Sequence, residues 1–352
     1  MFLALKEMKH EKFRYSLIIS MVVLIGYLIY VLTSLSIGLA RQNTTAIESW
    51  NTQTVALNKD SNINLDQSVL MKGDINSLDK KNDAVIGETP VVAKTTGQSK
   101  QSARYIGLSD DQYIYKTLDV TSGKKSLAKG DVIVDEAFKT NGYKLGDTLK
   151  LNSSNQKFKI VGFTKDAKID IAPIIYGDIS HWNTLKNYNS NIVGSAVISK
   201  SNSINISDKH LKNYKVGTVI NKLPGYSAQN TTFELMIGFL MVISVIVIAV
   251  FLYILTMQKL KNYAVMRAQG IPANVLVKAT IAQSFIIVAA GLLISAVLAT
   301  ATALVLPAAV PIFFDVPVLA AVSAALIALS LLAALIPVRS ILKVDPVTVI
   351  GG

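Results

Sequence analysis

The stretch Leu17-Ile-Ile-Ser-Met-Val-Val-Leu-Ile-Gly-Tyr-Leu-Ile-Tyr-Val-Leu-Thr-Ser-Leu-Ser-Ile-Gly-Leu39 contains no charged residue. A helix of about 20 apolar residues crosses the hydrocarbon core of a bilayer, where the backbone must satisfy its own hydrogen bonds. The rest of the chain decides the architecture. Residues 41–234 are polar and rich in lysine, and three more apolar runs are crowded into the last third of the chain. The pattern predicts an α-helical membrane protein with four transmembrane helices, at 16–40, 235–257, 279–306 and 318–338. An extracytoplasmic α+β domain, 41–234, is inserted between the first two.

Charge placement orients this layout. The chain has 35 Lys and Arg against 23 Asp and Glu, a formal net charge of +12. Lys6, Lys9, Lys12 and Arg14 precede the first span. Lys259, Lys261, Arg267 and Lys278 lie in the 258–278 loop, which has no acid, and Arg339 and Lys343 follow the last span. The 307–317 connection carries only Asp315. By the positive-inside rule both termini and the 258–278 loop are cytoplasmic, while the insert and the 307–317 loop lie outside. The basic residues sit where topology requires them, so no nucleic-acid partner is implied. The first run is longer than a signal-peptide core and lacks a convincing small-x-small cleavage site, so it reads as a retained span.

Residues 1–15 are amphipathic at helical spacing, with Met1, Leu5 and Met8 on one side and Lys6, Lys9 and Lys12 on the other. They read either as a helix lying in the cytoplasmic interface or as a solvated extension of the first span. Within the insert, Asp131–Asp135, Thr148–Leu151 and Phe158–Gly162 read as strands and Glu136–Thr140 as a short helix. Gly130-Asp131 and Gly146-Asp147 read as turns before strands. The last spans are dense in small residues, as in Ala289-Ala-Gly291, which lets helices approach closely in lipid.

Much chemistry is excluded. The chain has no cysteine, which removes thiolate nucleophiles, iron–sulfur clusters and Cys-based zinc sites. Gly123-Lys-Lys-Ser126 is the nearest approach to a phosphate loop, but Leu118 stands where its first glycine belongs. No His-Glu-x-x-His or Gly-x-Ser-x-Gly occurs, and His10, His181 and His210 are scattered and read as surface residues. The reading is therefore no catalytic residue, no metal site and no enzyme. Glu234 is the sole acid within or adjoining a span, so the spans carry no proton pathway. The energy source is expected on another chain.

The loop Gln258-Lys-Leu-Lys-Asn-Tyr-Ala-Val-Met-Arg-Ala-Gln-Gly-Ile271 resembles the cytoplasmic segment of FtsX/MacB-type ABC permeases. Lys343-Val-Asp-Pro-Val-Thr-Val-Ile350 resembles that family's C-terminal motif. Within the family, the opening Phe2-Leu-Ala-Leu-Lys-Glu7, Lys12-Phe-Arg-Tyr15 and the Ile350-Gly-Gly352 ending look most like the HrtB-like haem-efflux permeases of Gram-positive bacteria. Asn262 departs from the pattern, standing where many members carry Glu, and so removes one ion pair to the ATPase.

The resemblance implies a permease homodimer in the cell membrane working with two copies of a cytoplasmic ABC ATPase. That partner binds ATP, and the permease itself holds no permanent cofactor. A short helix at Asn262–Ile271, ended by Gly270 and Pro272, would carry the ATPase's movement to the outer domains. Val265, Met266 and Gln269 are then expected in the ATPase groove, with Arg267 pairing with an acid on its rim. The expected substrate is haem or a similar amphipathic molecule, taken laterally from the membrane. Haem needs an apolar slot, an axial ligand and cations near its propionates. Glu234, Met236, Tyr27, Tyr30 and Arg41 are the candidates. Each also has an ordinary reading: Tyr and Arg anchor interfaces, Met fills gaps, and Glu234 caps a helix start. The alternatives are an FtsX-like transmitter that regulates a cell-wall hydrolase, or an exporter of peptides, antibiotics or lipoproteins.

Overall fold

The computed structural model describes residues 2–206, 209–307 and 310–342. The Lys343–Ile350 motif, and with it most of the 339–352 tail, lies outside the described residues. Ten helices are described: α1 (Phe2–His10), α2 (Lys12–Ser49), α3 (Tyr113–Thr117), α4 (Glu136–Thr140), α5 (Ile179–Lys186), α6 (Val216–Asn221), α7 (Tyr226–Gln258), α8 (Leu260–Ala268), α9 (Ala273–Val305) and α10 (Val316–Leu342). Four of them, α2, α7, α9 and α10, are long and apolar enough to cross a membrane. The chain divides into a membrane unit, residues 1–38 and 230–352, and an inserted unit, residues 39–229.

Every spanning helix is longer than its apolar run, because hydropathy marks the lipid boundary and not the helix end. The clearest case is α2. Beyond Leu39 it meets no glycine or proline. Asn43 donates its side-chain amide to the Leu39 carbonyl (2.9 Å) and Thr44 its hydroxyl to the Ala40 carbonyl (3.1 Å). Such bonds satisfy polar side chains within a helix. The helix stops at Asn51, whose left-handed backbone (φ 52°) unwinds the last turn.

In the membrane unit α2, α7, α9 and α10 share one apolar core, including Ile18, Val22 and Ile29 of α2, Ile248 and Leu252 of α7, Ile287 and Leu292 of α9, and Ala333 and Ala334 of α10. Small residues set how closely the helices approach. A Cβ on Gly291 would fall 2.5 Å from Val22 Cγ1, and one on Gly26 would fall 2.7 Å from Ser295 Oγ. The Ser295 hydroxyl donates to the Val23 carbonyl across this contact (2.8 Å). Small residues at a crossing allow the backbone approach that drives association in lipid.

The inserted unit is α+β, as its strand and turn pattern predicts. Its strands are β1 (Thr54–Asn58), β2 (Leu70–Met71), β3 (Asp83–Lys94), β4 (Gln101–Leu108), β5 (Val120–Gly123), β6 (Asp131–Asp135) and β7 (Thr148–Leu151). They continue as β8 (Lys157–Thr164), β9 (Lys168–Ile169), β10 (Ala172–Asp178), β11 (Ile192–Gly194), β12 (Ala196–Ser199) and β13 (Leu211–Lys215). The main sheet runs β13-β1-β12-β3-β4-β10-β6-β8-β5, parallel at β4–β10 and β6–β8. Because β7 pairs with both β3 and β8, the strands β3-β4-β10-β6-β8-β7 close into a ring.

Successive residues of a strand face opposite ways, and here both faces are covered. One core takes Tyr105, Val132, Val134, Phe158 and Ile175 together with Phe138 and Trp182. The other takes the alternate residues Ile106, Ile133, Ile174 and Tyr176 together with Ala46 and Ile47 of α2 and Trp50 just beyond it. His181 is a correction to the surface reading: its ring lies edge-on to Phe158 (5.4 Å) and its Nδ1 is buried. Trp182 stacks over β3 so closely that a Cβ on Gly87 would fall 2.3 Å from its ring. Gly87→Ala should therefore overpack this core, costing about 1–3 kcal/mol. Thermal unfolding of the full permease should show the loss, and an unshifted transition would contradict the packing.

Candidate functional site

The α7–α9 connection is built from local rules. Lys259 breaks the helix between α7 and α8, and its amide still reaches the Leu255 and Thr256 carbonyls (3.3 and 3.1 Å). Helix α8 ends in a Schellman closure: Gly270 N–H donates to the Arg267 carbonyl (3.0 Å) and Ile271 N–H to the Met266 carbonyl (3.1 Å). This closure requires a left-handed residue, which Gly270 supplies at φ +90°. Pro272, extended, then starts α9.

Helical periodicity divides the residues of α8 between two faces. Tyr263 and Ala264 are buried, and Met266 packs against the small core of Tyr263, Leu276 and Ile341. Burial pushes the Tyr263 phenol up to about 12. Val265 is 45 % exposed, and Asn262, Gln269 and Gly270 are exposed beside it. Arg267 is half-buried and already has an interaction of its own. This corrects the expectation for Met266. Lying one turn on from Tyr263, it shares that residue's inward stripe, so the face open to a partner is Asn262, Val265 and Gln269.

Beneath α8 lies a polar node that the sequence pattern did not reveal. Lys259, 6 % exposed, extends its Nζ to the Tyr15 hydroxyl (3.1 Å), Glu7 Oε2 (3.4 Å) and Glu11 Oε2 (3.8 Å). Gln283 of α9 donates its amide to the same Glu7 oxygen. The node joins α1, α2, the α7–α8 junction and α9. Within residues 2–15, α1 packs along α9, while Lys12–Tyr15 form the first turn of α2. Lys259 reads in sequence as a topology-setting charge. The available signal was the pair Glu7 and Glu11, four apart, the second just past the end of α1.

The expected substrate residues are less concentrated. Tyr27 lines a groove of about 340 Å³ between α2 and α9, with Val23, Leu24, Ile294 and Leu298, and its hydroxyl bonds to Thr302 (3.0 Å). Tyr30 is 5 % exposed and bonds to Ser323 of α10 (2.5 Å). The two tyrosines thus tie α2 to different helices and do not line one slot. Glu234 and Met236 are exposed on α7. Glu234 lies two turns inside that helix, which begins at Tyr226, so capping does not account for it. Met236 opens an exposed apolar stripe continued by Phe239, Ile243, Ile246, Val250, Tyr253 and Met257, spaced alternately by three and four. Arg41 lies on α2 within the inserted unit, half-buried and with a partner. Among the described residues no group of His, Asp and Glu could hold a metal ion.

Comparison with known proteins shows what the chain is similar to. Residues 234–346 match the FtsX-like permease C-terminal model. The chain is 25 % identical over 355 residues to a putative hemin transport system permease protein HrtB of Staphylococcus haemolyticus (strain JCSC1435), covering 99 % of both chains. A protein of the same description from Staphylococcus epidermidis (strain ATCC 12228 / FDA PCI 1200) is 25 % identical over 359 residues, again covering 99 % of each. Among solved structures, the extracellular domain of the noncanonic ABC-type transporter YknZ from Gram-positive bacteria aligns with 43 % of this chain and 83 % of its own, at 16 % identity and TM-score 0.32. The periplasmic region of MacB from Actinobacillus actinomycetemcomitans aligns with 49 % and 93 %, at 15 % identity and TM-score 0.34. The chain thus carries a region that matches the FtsX-like permease C-terminal model, follows a membrane plan of four apolar helices with an α+β insert after the first, and is similar along its whole length to ABC transporter permeases described as HrtB.

Proposed function

We propose that this permease is the membrane subunit of an ATP-driven exporter that expels haem, or a similar amphipathic molecule, by transmitting movement from a cytoplasmic ATPase. The observation that carries the mechanical part is α8. It is a short, sharply terminated helix between two membrane-length helices, offering Asn262, Val265 and Gln269 outward. ATP is bound and hydrolysed on the partner, of which two copies serve a permease homodimer. The exposed α7 stripe has the three–four spacing by which helices pack on one another, and it is the surface for the second permease. Both termini and α8 face the cytoplasm, and the insert lies outside, in the membrane of a Gram-positive bacterium.

The substrate assignment rests on the full-length similarity to proteins described as hemin permeases. Tyr27 in its groove and Glu234 with Met236 on α7 are the residues proposed to meet the substrate, which can enter from the lipid without a hydrated tunnel. In lipid nanodiscs with its ATPase, the permease should give a haem-dependent absorbance change and haem-stimulated ATP hydrolysis. Glu234→Gln together with Met236→Leu should weaken both. If neither signal appears with the wild type, the haem assignment is wrong. A second reading, an FtsX-like transmitter that controls a cell-wall hydrolase, draws on the unbroken course of α2 into the insert's core. Recovery of a hydrolase bound to the insert would favour it.

A further inference from the structure

We infer that the β9–β10 turn, Asp170-Ile171, is the catch by which α2 grips the inserted domain, and that Arg104 is the positioning residue that holds it closed. This inference rests on the force-transmitting reading above and names the residues through which the force would pass.

The turn is strained. Asp170 and Ile171 both adopt left-handed backbone angles, φ 52° and 63°. Two such residues between paired strands make the tight hairpin turn that normally uses Asn-Gly. Ile171 is β-branched and 48 % exposed, so neither its shape nor burial rewards this geometry. A conformation of this kind persists only where its surroundings over-determine it.

Two groups do so, from opposite sides. The Asp170 carboxylate takes one arm of the Arg104 guanidinium. The other arm binds Glu88 Oε1 at 2.5 Å. Glu88 is completely buried, and its own backbone is held in turn, its N–H donating to Ser195 Oγ (2.9 Å) and its carbonyl accepting from Trp182 Nε1 (2.9 Å). Arg104 is therefore anchored in the rigid centre of the sheet. On the other side, the Asp170 N–H donates to the Asn43 carbonyl of α2 (3.2 Å), and Thr45 of α2 reaches the Lys168 carbonyl (3.5 Å). Just past the end of α2, Trp50 Nε1 donates to the buried Tyr176 hydroxyl (3.0 Å) on β10, the strand that leaves this turn.

The geometry suits a catch better than plain packing. The apolar contacts of Ala46, Ile47 and Trp50 hold α2 against the sheet without fixing its position along its own axis, because burial is not directional. The Asn43–Asp170 hydrogen bond is directional. An axial pull on α2, arriving along a helix continuous from Lys12, would act on this bond and on the turn behind it.

The test uses the full permease with its ATPase in nanodiscs, followed by hydrogen exchange with and without ATP. Glu88→Leu/Arg104→Met replaces the buried ion pair with apolar residues, a change that generally preserves stability. Asp170→Gly removes the carboxylate and relieves the strain of the turn. Asp170→Asn keeps a polar partner for Arg104 and tolerates the left-handed angle. The expected result is about tenfold faster exchange at residues 43–50 and 168–172 in the first two variants. Protection of β8 should be unchanged, and the ATP-dependent change in the insert should be lost. Asp170→Asn should behave as wild type. If exchange is unchanged in Glu88→Leu/Arg104→Met and Asp170→Gly, or if the ATP response survives in both, the catch is overturned and the permease reading still stands. If the wild-type insert shows no ATP response, the force-transmitting reading fails, and this inference fails with it.

Discussion

Lys259→Met should cost the membrane unit about 3 kcal/mol, because it leaves the Glu7 and Glu11 carboxylates facing each other without their cation. Lys259 is 6 % exposed, so little water is available to take its place. The loss should appear as a lowered unfolding temperature in nanodiscs and as poor recovery of folded permease. Removing the whole charge set with Glu7→Gln/Glu11→Gln/Lys259→Met should restore most of the stability, since neutral groups carry a far smaller desolvation penalty. The triple variant should nonetheless hydrolyse ATP with weakened substrate stimulation, because α8 then sits on a node that no longer grips α1 and α9. If the single variant is as stable as wild type, Lys259 is an ordinary topological charge and the node has no mechanical role.

The second large effect belongs to α8 itself. Val265→Asp places a carboxylate on the exposed face at the point where an apolar contact with the ATPase is expected. An unpaired charge buried there costs several kcal/mol, which at 1.4 kcal/mol per decade is a loss of about a hundredfold or more in docking. Substrate-stimulated hydrolysis and co-purification of the ATPase should both collapse, while the unfolding temperature of the permease stays where it was. Met266→Asp gives the contrast. Its side chain packs against Tyr263, Leu276 and Ile341, so this change should lower permease stability as well as coupling. If Val265→Asp leaves both readouts intact, the docking face is elsewhere. If the two variants behave identically, the division of α8 into an inward and an outward face is wrong.

How far the sequence could be read depended on the range of the forces involved. The four spans were legible because each is a continuous stretch whose hydrophobicity is a property of its own residues. The Asp131–Asp135 strand, the Glu136–Thr140 helix and the Gly270 stop were legible because capping and turn chemistry act within a few residues. The continuation of α2 to Ser49 was not. Arg41–Ser49 look like loop residues until Ala46, Ile47 and Trp50 meet a sheet whose strands are drawn from all along the insert, from Thr54 to Lys215. Met266 was placed outward because neighbouring residues cannot say which helical stripe will find a core.

The sequence by itself therefore determined the order of spans and insert, the α+β class of the insert and the short helix between α7 and α9. Tertiary structure alone decided which groups became partners: Lys259 with Glu7 and Glu11, Tyr27 with Thr302 and Tyr30 with Ser323, and Arg104 with Glu88 and Asp170. The physical reason is that a buried polar group must find a partner wherever the fold brings one within about 3 Å. That distance carries no record in the linear order of the chain.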